Sequence, residues 1–167
     1  MDQIINQAAK WYYMNAGQLS VPIVIRLMIG RGWGQGAQHA QSLESLFSHI
    51  PGLKVVEPST PADAKGLLIS AIKDNNPVLF FEHRWLYDRF GPVPNEHYQV
   101  EIGKCRIANE GDDITIISHS YMVLESLRCA DILKGFGIKA EVIDLRSLRP
   151  LDVKGILNSV KKTKRLL

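Results

Sequence analysis

The sequence predicts an α/β fold made of two incomplete parallel-sheet units. Residues 21–82 alternate short apolar runs with amphipathic runs, the pattern of a parallel sheet covered on both faces. Residues 83–100 lose that periodicity and carry Gly91, Pro92 and Pro94, which reads as an extended connection. A second alternating unit follows. Each unit supplies about three strands, against about five or six in a typical open sheet. The expected division is 1–95 and 96–167.

The elements follow in order. Asp2 is placed to cap a helix to about Asn15, with Ile4, Ile5, Ala8, Ala9 and Tyr12 as its apolar face and Gly17 as its stop. Val21 to Ile29 reads as a buried strand. A glycine-rich turn, Gly30 to His39, then leads to a helix with Leu43, Leu46 and Phe47 inward. Leu53 to Glu57 is a short strand. Thr60-Pro61-Ala62-Asp63 combines a cap, a first-turn proline and an acid at the positive helix end. That helix runs to Lys73, Asp74-Asn75-Asn76-Pro77 breaks it, and Val78 to Glu82 is the next strand. In the second unit, Gln99–Ile107 is extended and Ile114–Ser118 a strand. Met122–Phe136 is a helix, Ile138–Leu145 a strand and Asp152–Lys162 a helix. Another buried strand is expected to begin at Arg165-Leu166-Leu167.

Composition narrows the function classes. With 46% hydrophobic and 22% charged residues the chain is that of an ordinary globular protein. No apolar run reaches the roughly 18 to 20 residues that span a bilayer. The first residues carry neither a basic region nor a signal-like core, so a cytoplasmic location is expected. The net charge of +3 is concentrated in Lys161-Lys162-Thr163-Lys164-Arg165. This run reads as a solvated helix end with cations at its negative pole and not as a nucleic-acid contact. Cys105 and Cys129 lack CxxC spacing, which argues against a disulfide framework or zinc.

Several segments bear candidate chemistry. His39, after the glycine turn, is an acid/base group, a metal ligand or a cap, and a helix start there would favour its neutral imidazole. His49, His83, His97 and His119 are not at ligand spacing from it. Gly32-Trp33-Gly34-Gln35-Gly36-Ala37 partly matches a dinucleotide fingerprint, with Glu57 where a ribose-binding acid belongs. Gly30-Arg31 intervenes between strand and first glycine, which weakens the match. Ser118-His119-Ser120 has a nucleophile-like composition without the G-x-S-x-G elbow and reads as a strand end. Glu82-His83-Arg84-Trp85 is polar at the end of a strand, either as an interface or site rim or as solvated surface. Ala71 to Asn76 ends a helix whose last carbonyls have no internal partner and face a cation or water.

In order along the chain, several segments carry a family resemblance. They are Asp2–Lys10 with Tyr12-Tyr13-Met14, Val21–Val24 with Arg26, Ala37–Ser42, Pro51–Val56, Asp63–Leu67, Ala71–Pro77, Asp113–Ile117 and Asp144–Asp152. With them the sequence resembles the β subunit of the thiamine-diphosphate-dependent 2-oxoacid dehydrogenases (pyruvate, branched-chain and acetoin) of the transketolase-like group. The resemblance implies the later half of a pyrimidine-binding domain followed by the first part of a transketolase C-terminal domain. It implies that the upstream glutamate that activates the cofactor lies outside this chain. It places His39 at the active-site histidine, and main-chain oxygens of Ile23, Ala71, Ile72, Asp74 and Asn76 at a potassium site. It further implies thiamine diphosphate shared with an α subunit that holds magnesium, and a lipoyl-bearing acyltransferase as acyl acceptor. The segment Leu27–Gln35 departs from the Gly-rich form of the pyruvate enzymes. Such a fragment is expected to be inactive alone and to self-associate through open edges and uncovered faces at Val24, Val55, Phe80 and Ile116. A non-catalytic assembly module and a dinucleotide-binding domain are the alternatives.

Overall fold

The computed structural model describes residues 1–30 and 35–167. Two sheets organise them. The first holds β1 (Val24–Ile29), β3 (Val78–His83), β2 (Lys54–Val56) and β7 (Ser147–Arg149), in the order β1-β3-β2-β7. β1, β3 and β2 run parallel, and β7 joins β2 antiparallel. The second holds β4 (Arg106–Asn109), β6 (Ala140–Asp144) and β5 (Ile114–Ser118), with β6 central, parallel to β5 and antiparallel to β4.

Alternation along β3 divides the first core between the faces of its sheet. Leu79 and Phe81 pack with Ala9, Phe47, Leu53 and Val55 under α1 (Ala9–Met14) and α2 (Glu44–Ser48). Val78 and Phe80 face the other way, against Leu67 and Ala71 of α3 (Pro61–Lys73), with Val100 and Ile102 alongside. Thr60 caps α3: its Oγ1 accepts from the Asp63 amide at 3.1 Å. In the second unit α4 (Met122–Gly135) covers Ile116, Ala140 and Val142. α5 (Val153–Thr163) covers the opposite face through a buried hydroxyl cluster, with Thr115 Oγ1 2.7 Å from both Ser159 and Thr163. Past α5, Leu166 bridges Thr115 in parallel, as expected of an incipient strand.

Several expectations need correction. The first helix opens as π-turns over Gln3–Ala8, and Asp2 bonds the Asn6 side chain instead of capping the backbone. Strand β1 starts at Val24, lies at the sheet edge and is mostly half-buried. Helix α2 is only five residues long, and Leu43 and Leu46 stay about two-fifths exposed. The extended stretch from Gln99 forms a strand only from Arg106. Val55, Phe80 and Ile116 are buried, so the chain's own helices cover the faces expected to lie open; Val24 is half-buried.

Polar groups and β7 tie the two sheets together. The Ser59 hydroxyl donates to Asp144, and Arg106 reaches Asp144 at 3.0 Å. Arg146 bonds Asp63 at 3.0 Å. Arg106 Nε lies 3.3 Å from Asp63 Oδ2, close enough for attraction but without hydrogen-bond alignment.

Candidate functional site

In α/β proteins, ligands gather beyond the carboxyl ends of parallel strands. Here those ends converge from both sheets. Gly30 follows β1, Glu57 follows β2, His83 closes β3 and pairs with Ile29, and His119 follows β5.

His39 ends a 3-10 turn, Ala37–His39, and is exposed. It is not at a helix start: α2 begins only at Glu44. What fixes the turn is Arg84. Its buried guanidinium Nη1 donates to the Gly30 carbonyl at 2.8 Å and to the His39 carbonyl at 2.6 Å. One cation therefore clamps the end of β1 and the His39 turn onto β3, with two charge-assisted bonds. Gly30 has φ +83, and a Cβ there would lie 2.4 Å from His83 Nε2, so only glycine fits.

His83 stacks on Tyr121 with centroids 5.1 Å apart and accepts from the Trp85 amide through Nδ1. Burial holds its pKa below the ordinary histidine value. Glu82 pairs with Arg26 and accepts from Tyr87, so the Glu82–Trp85 stretch is a structured rim and not merely solvated.

Glu57 is fully buried and cannot serve as a ribose acid: its Oε2 lies 2.6 Å from His119 Nδ1. Burial pushes the Glu57 carboxyl up, partly offset by His119. The bond to Glu57 pushes His119 up, against desolvation. Glu57 Oε1 and Glu44 Oε2 are buried and accept no hydrogen bond among the described residues. Ser118 accepts from Ser126 at 2.9 Å, and the Ser120 hydroxyl is buried, so neither is presented as a nucleophile. Gly32, Trp33 and Gly34 of the partial fingerprint lie outside the described residues.

Among the described residues, no three or more His, Cys, Asp or Glu side chains converge to hold a metal. Main-chain carbonyls are the other kind of donor. Ala71 and Ile72 close α3, Asp74 and Asn76 lie in the following turn, and the Ile23 carbonyl accepts from Val78 at 2.9 Å as β1 pairs with β3. The Ala71 carbonyl accepts from the Asp74 amide. A cavity of about 380 Å³ opens beside His83, walled by Pro58, Leu68, Phe80, Leu86 and Tyr87; His39 does not line it.

Residues 1–89 match the transketolase pyrimidine-binding domain, more than half of the chain, and residues 103–167 match the transketolase C-terminal domain. The chain belongs to the transketolase family. Within it, the chain is 51% identical over 166 residues to the acetoin:2,6-dichlorophenolindophenol oxidoreductase subunit beta of Cupriavidus necator, covering 99% of this chain and 49% of that protein. It is 49% identical to the pyruvate dehydrogenase E1 component subunit beta of Bacillus subtilis, covering 100% of this chain and 52% of the relative. The chain thus spans about half the length of these curated relatives. The fold matches a solved split-gene transketolase, described as an inactive beta4 tetramer, with TM-score 0.80 and 24% identity over 99% of this chain and 50% of that one. No helix among the described residues is long and apolar enough to cross a membrane.

The sequence offered Arg84 only within a possible site rim, and it did not reveal Arg84's bond to the His39 turn, Tyr121 or the Glu57–His119 pair as parts of this region. For Arg84, Glu57 and His119 the signal was a polar residue at a strand end, where a core strand should be apolar; Tyr121, just before α4, gave none.

Proposed function

We propose that this chain is the central part of the β subunit of a thiamine-diphosphate-dependent 2-oxoacid dehydrogenase. The observation that carries the reading is the His39 turn, clamped by Arg84 at the carboxyl end of a parallel sheet, in a chain about half identical to such subunits. When bound, the cofactor supplies an electrophilic thiazolium that stores the electron pair left by carbon dioxide. His39, exposed on a fixed backbone, takes and returns a proton beside the reacting carbonyl carbon and assists transfer of the acyl group to a lipoyl arm. Arg84 does no chemistry and holds the His39 main chain.

The fit to the cofactor is partial. The exposed imidazole suits proton transfer, whereas the described residues provide no side-chain cage for magnesium, which falls to an α-subunit partner. Main-chain oxygens of Ile23, Ala71, Ile72, Asp74 and Asn76 take a potassium ion that stiffens the α3–β3 turn. Assembly with an α subunit and a lipoyl-bearing acyltransferase, together with the upstream β-subunit segment that carries the activating glutamate, completes the site, and the chain alone is inactive. The free edge of β1, with Met28 about three-fifths exposed, supports pairing with a second chain. The location is cytoplasmic, or the mitochondrial matrix in a eukaryote.

The test is reconstitution with an α subunit, the upstream β-subunit segment that carries the activating glutamate, thiamine diphosphate, magnesium and a 2-oxoacid, reading carbon dioxide release and acyl transfer to free lipoamide. His39→Ala is expected to lower turnover about 100-fold or more. Equal turnover in His39→Ala and the parent chain would refute the role of His39. Cofactor-independent binding of the α subunit would favour the assembly-module reading.

A further inference from the structure

We infer that Tyr121, from the second sheet unit, is a positioning residue for the His39 turn. The inference rests on the reading that His39 faces the reaction, and it deepens that reading by adding a control from the other domain.

The Arg84 guanidinium that holds the His39 carbonyl is carried on a single 3-10 turn, Arg84–Leu86. So short a turn has little stiffness of its own. Its neighbours in sequence, His83 and Trp85, both lean on Tyr121. His83 stacks at 5.1 Å with 19° between planes, and Trp85 meets the ring edge-on at 4.9 Å and 78°. His83 and Trp85 also contact each other at 5.6 Å. The Tyr121 ring therefore closes a three-ring cluster around the base of Arg84. On its far side His83 abuts Gly30, the second acceptor of Arg84.

Tyr121 is itself held in place. Ser120 before it has φ +54, a left-handed conformation that turns the chain sharply after β5. His119 anchors that turn on buried Glu57, and the Tyr121 hydroxyl donates to Glu125 at 2.6 Å. The path from the second sheet to the His39 turn thus runs from Glu57 to His119, along the backbone through Ser120 to Tyr121, across to the His83 and Trp85 rings, and through the Arg84 between them to the His39 carbonyl. Tyr121 adds no charge to the site. It removes the freedom of the turn that carries Arg84.

The whole chain is tested by ¹⁵N relaxation and by the imidazole ¹⁵N shifts of His39. In the parent chain the His39 and Ala40 amides are expected in the rigid range, with order parameters of about 0.85. Tyr121→Leu should lower them below about 0.6 and move the His39 imidazole signals. Tyr121→Phe, which keeps the ring and loses only the bond to Glu125, should restore both. If Tyr121→Leu fails to fold, Ser120→Gly serves instead: it relaxes the turn that aims the ring without removing a core group, and the same loss of order at His39 is expected. Unchanged His39 and Ala40 signals in both variants, with changes confined to residues near 119–125, would overturn the inference. The readout needs no turnover, so a failure here is distinct from a failure of the reconstitution assay.

Discussion

His119 Nδ1 lies 2.6 Å from Glu57 Oε2, and that bond joins the carboxyl end of β5 to the carboxyl end of β2 across the two sheets. Glu57 is wholly buried and His119 about one-third exposed at its side chain, so the pair has one dry partner and one that reaches water.

The pair makes stability depend on pH. Burial raises the Glu57 pKa above its ordinary 4.5, and the bond to Glu57 raises His119 above its ordinary 6.5. Both groups hold their proton more firmly when folded. Their contribution is complete below the unfolded values and is lost as pH rises through the folded ones. Glu44 and Asp144 reinforce the shift in His119. His83, lowered by burial, has the opposite sign across the same range. Urea unfolding at pH 6 and pH 8 should therefore show a larger loss of stability in the parent chain than in His119→Gln. Equal slopes would remove the pair from the account.

Gly30→Ala should be costly for two reasons. The residue has φ +83, and the new Cβ would press into the His83 ring. Left-handed strain and overpacking together are expected to cost about 2–4 kcal/mol in chemical denaturation. Gly36→Ala, at φ 73 and ψ -176 in a region essentially reserved for glycine and with no atom of the described residues within 4 Å, should cost only the strain, about 1–3 kcal/mol.

Thr60 and Asp63 should separate a local role from a long-range one. Thr60→Ala removes the cap of α3 and should cost about 1 kcal/mol. Asp63→Ala also strips Arg146 and Arg106 of a carboxylate in the junction between the sheets. Its expected cost is about 3 kcal/mol, because it takes from the mostly buried Arg146 its carboxylate, leaving it only the Lys104 and Cys105 carbonyls, and leaves Arg106 to the Asp144 carboxylate. Equal effects in thermal or urea unfolding would mean that the junction contributes little.

Arg84→Met should free the His39 turn. The carbonyls of Gly30 and His39 lose a charged donor, with an expected stability loss of about 2–4 kcal/mol. In the reconstituted complex turnover should fall while the chain stays folded, and Arg84→Lys, whose shorter side chain still ends in a charged donor, should recover part of it. Parent-like turnover in Arg84→Met would show that the turn needs no clamp.

Local patterns in the sequence were enough to place α3, α4, α5, β3, β5 and β6, because each has a strong cap, a breaker or a continuous apolar run. Strand β7 was not legible. Ser147-Leu148-Arg149 is three residues without apolar alternation, and it exists because it docks on β2, about ninety residues away in sequence. Helix α2 read longer than it is, since Leu43 and Leu46 fit a helical face that stays largely exposed. His39 was visible as a histidine after a glycine turn, but not what holds it. Arg84 looked like a polar strand end, and Glu57 like a ligand-binding acid. Both are occupied by partners more than forty residues distant, which local periodicity cannot encode.

The most direct test of the central claim is size-exclusion chromatography with light scattering. The chain is run with and without an α subunit, in the presence of thiamine diphosphate and magnesium, and bound cofactor is measured across the peak. The account predicts a hetero-oligomer that retains the cofactor and a chain that retains none by itself. A chain that remains apart from the α subunit, or a joint peak without cofactor, would contradict it.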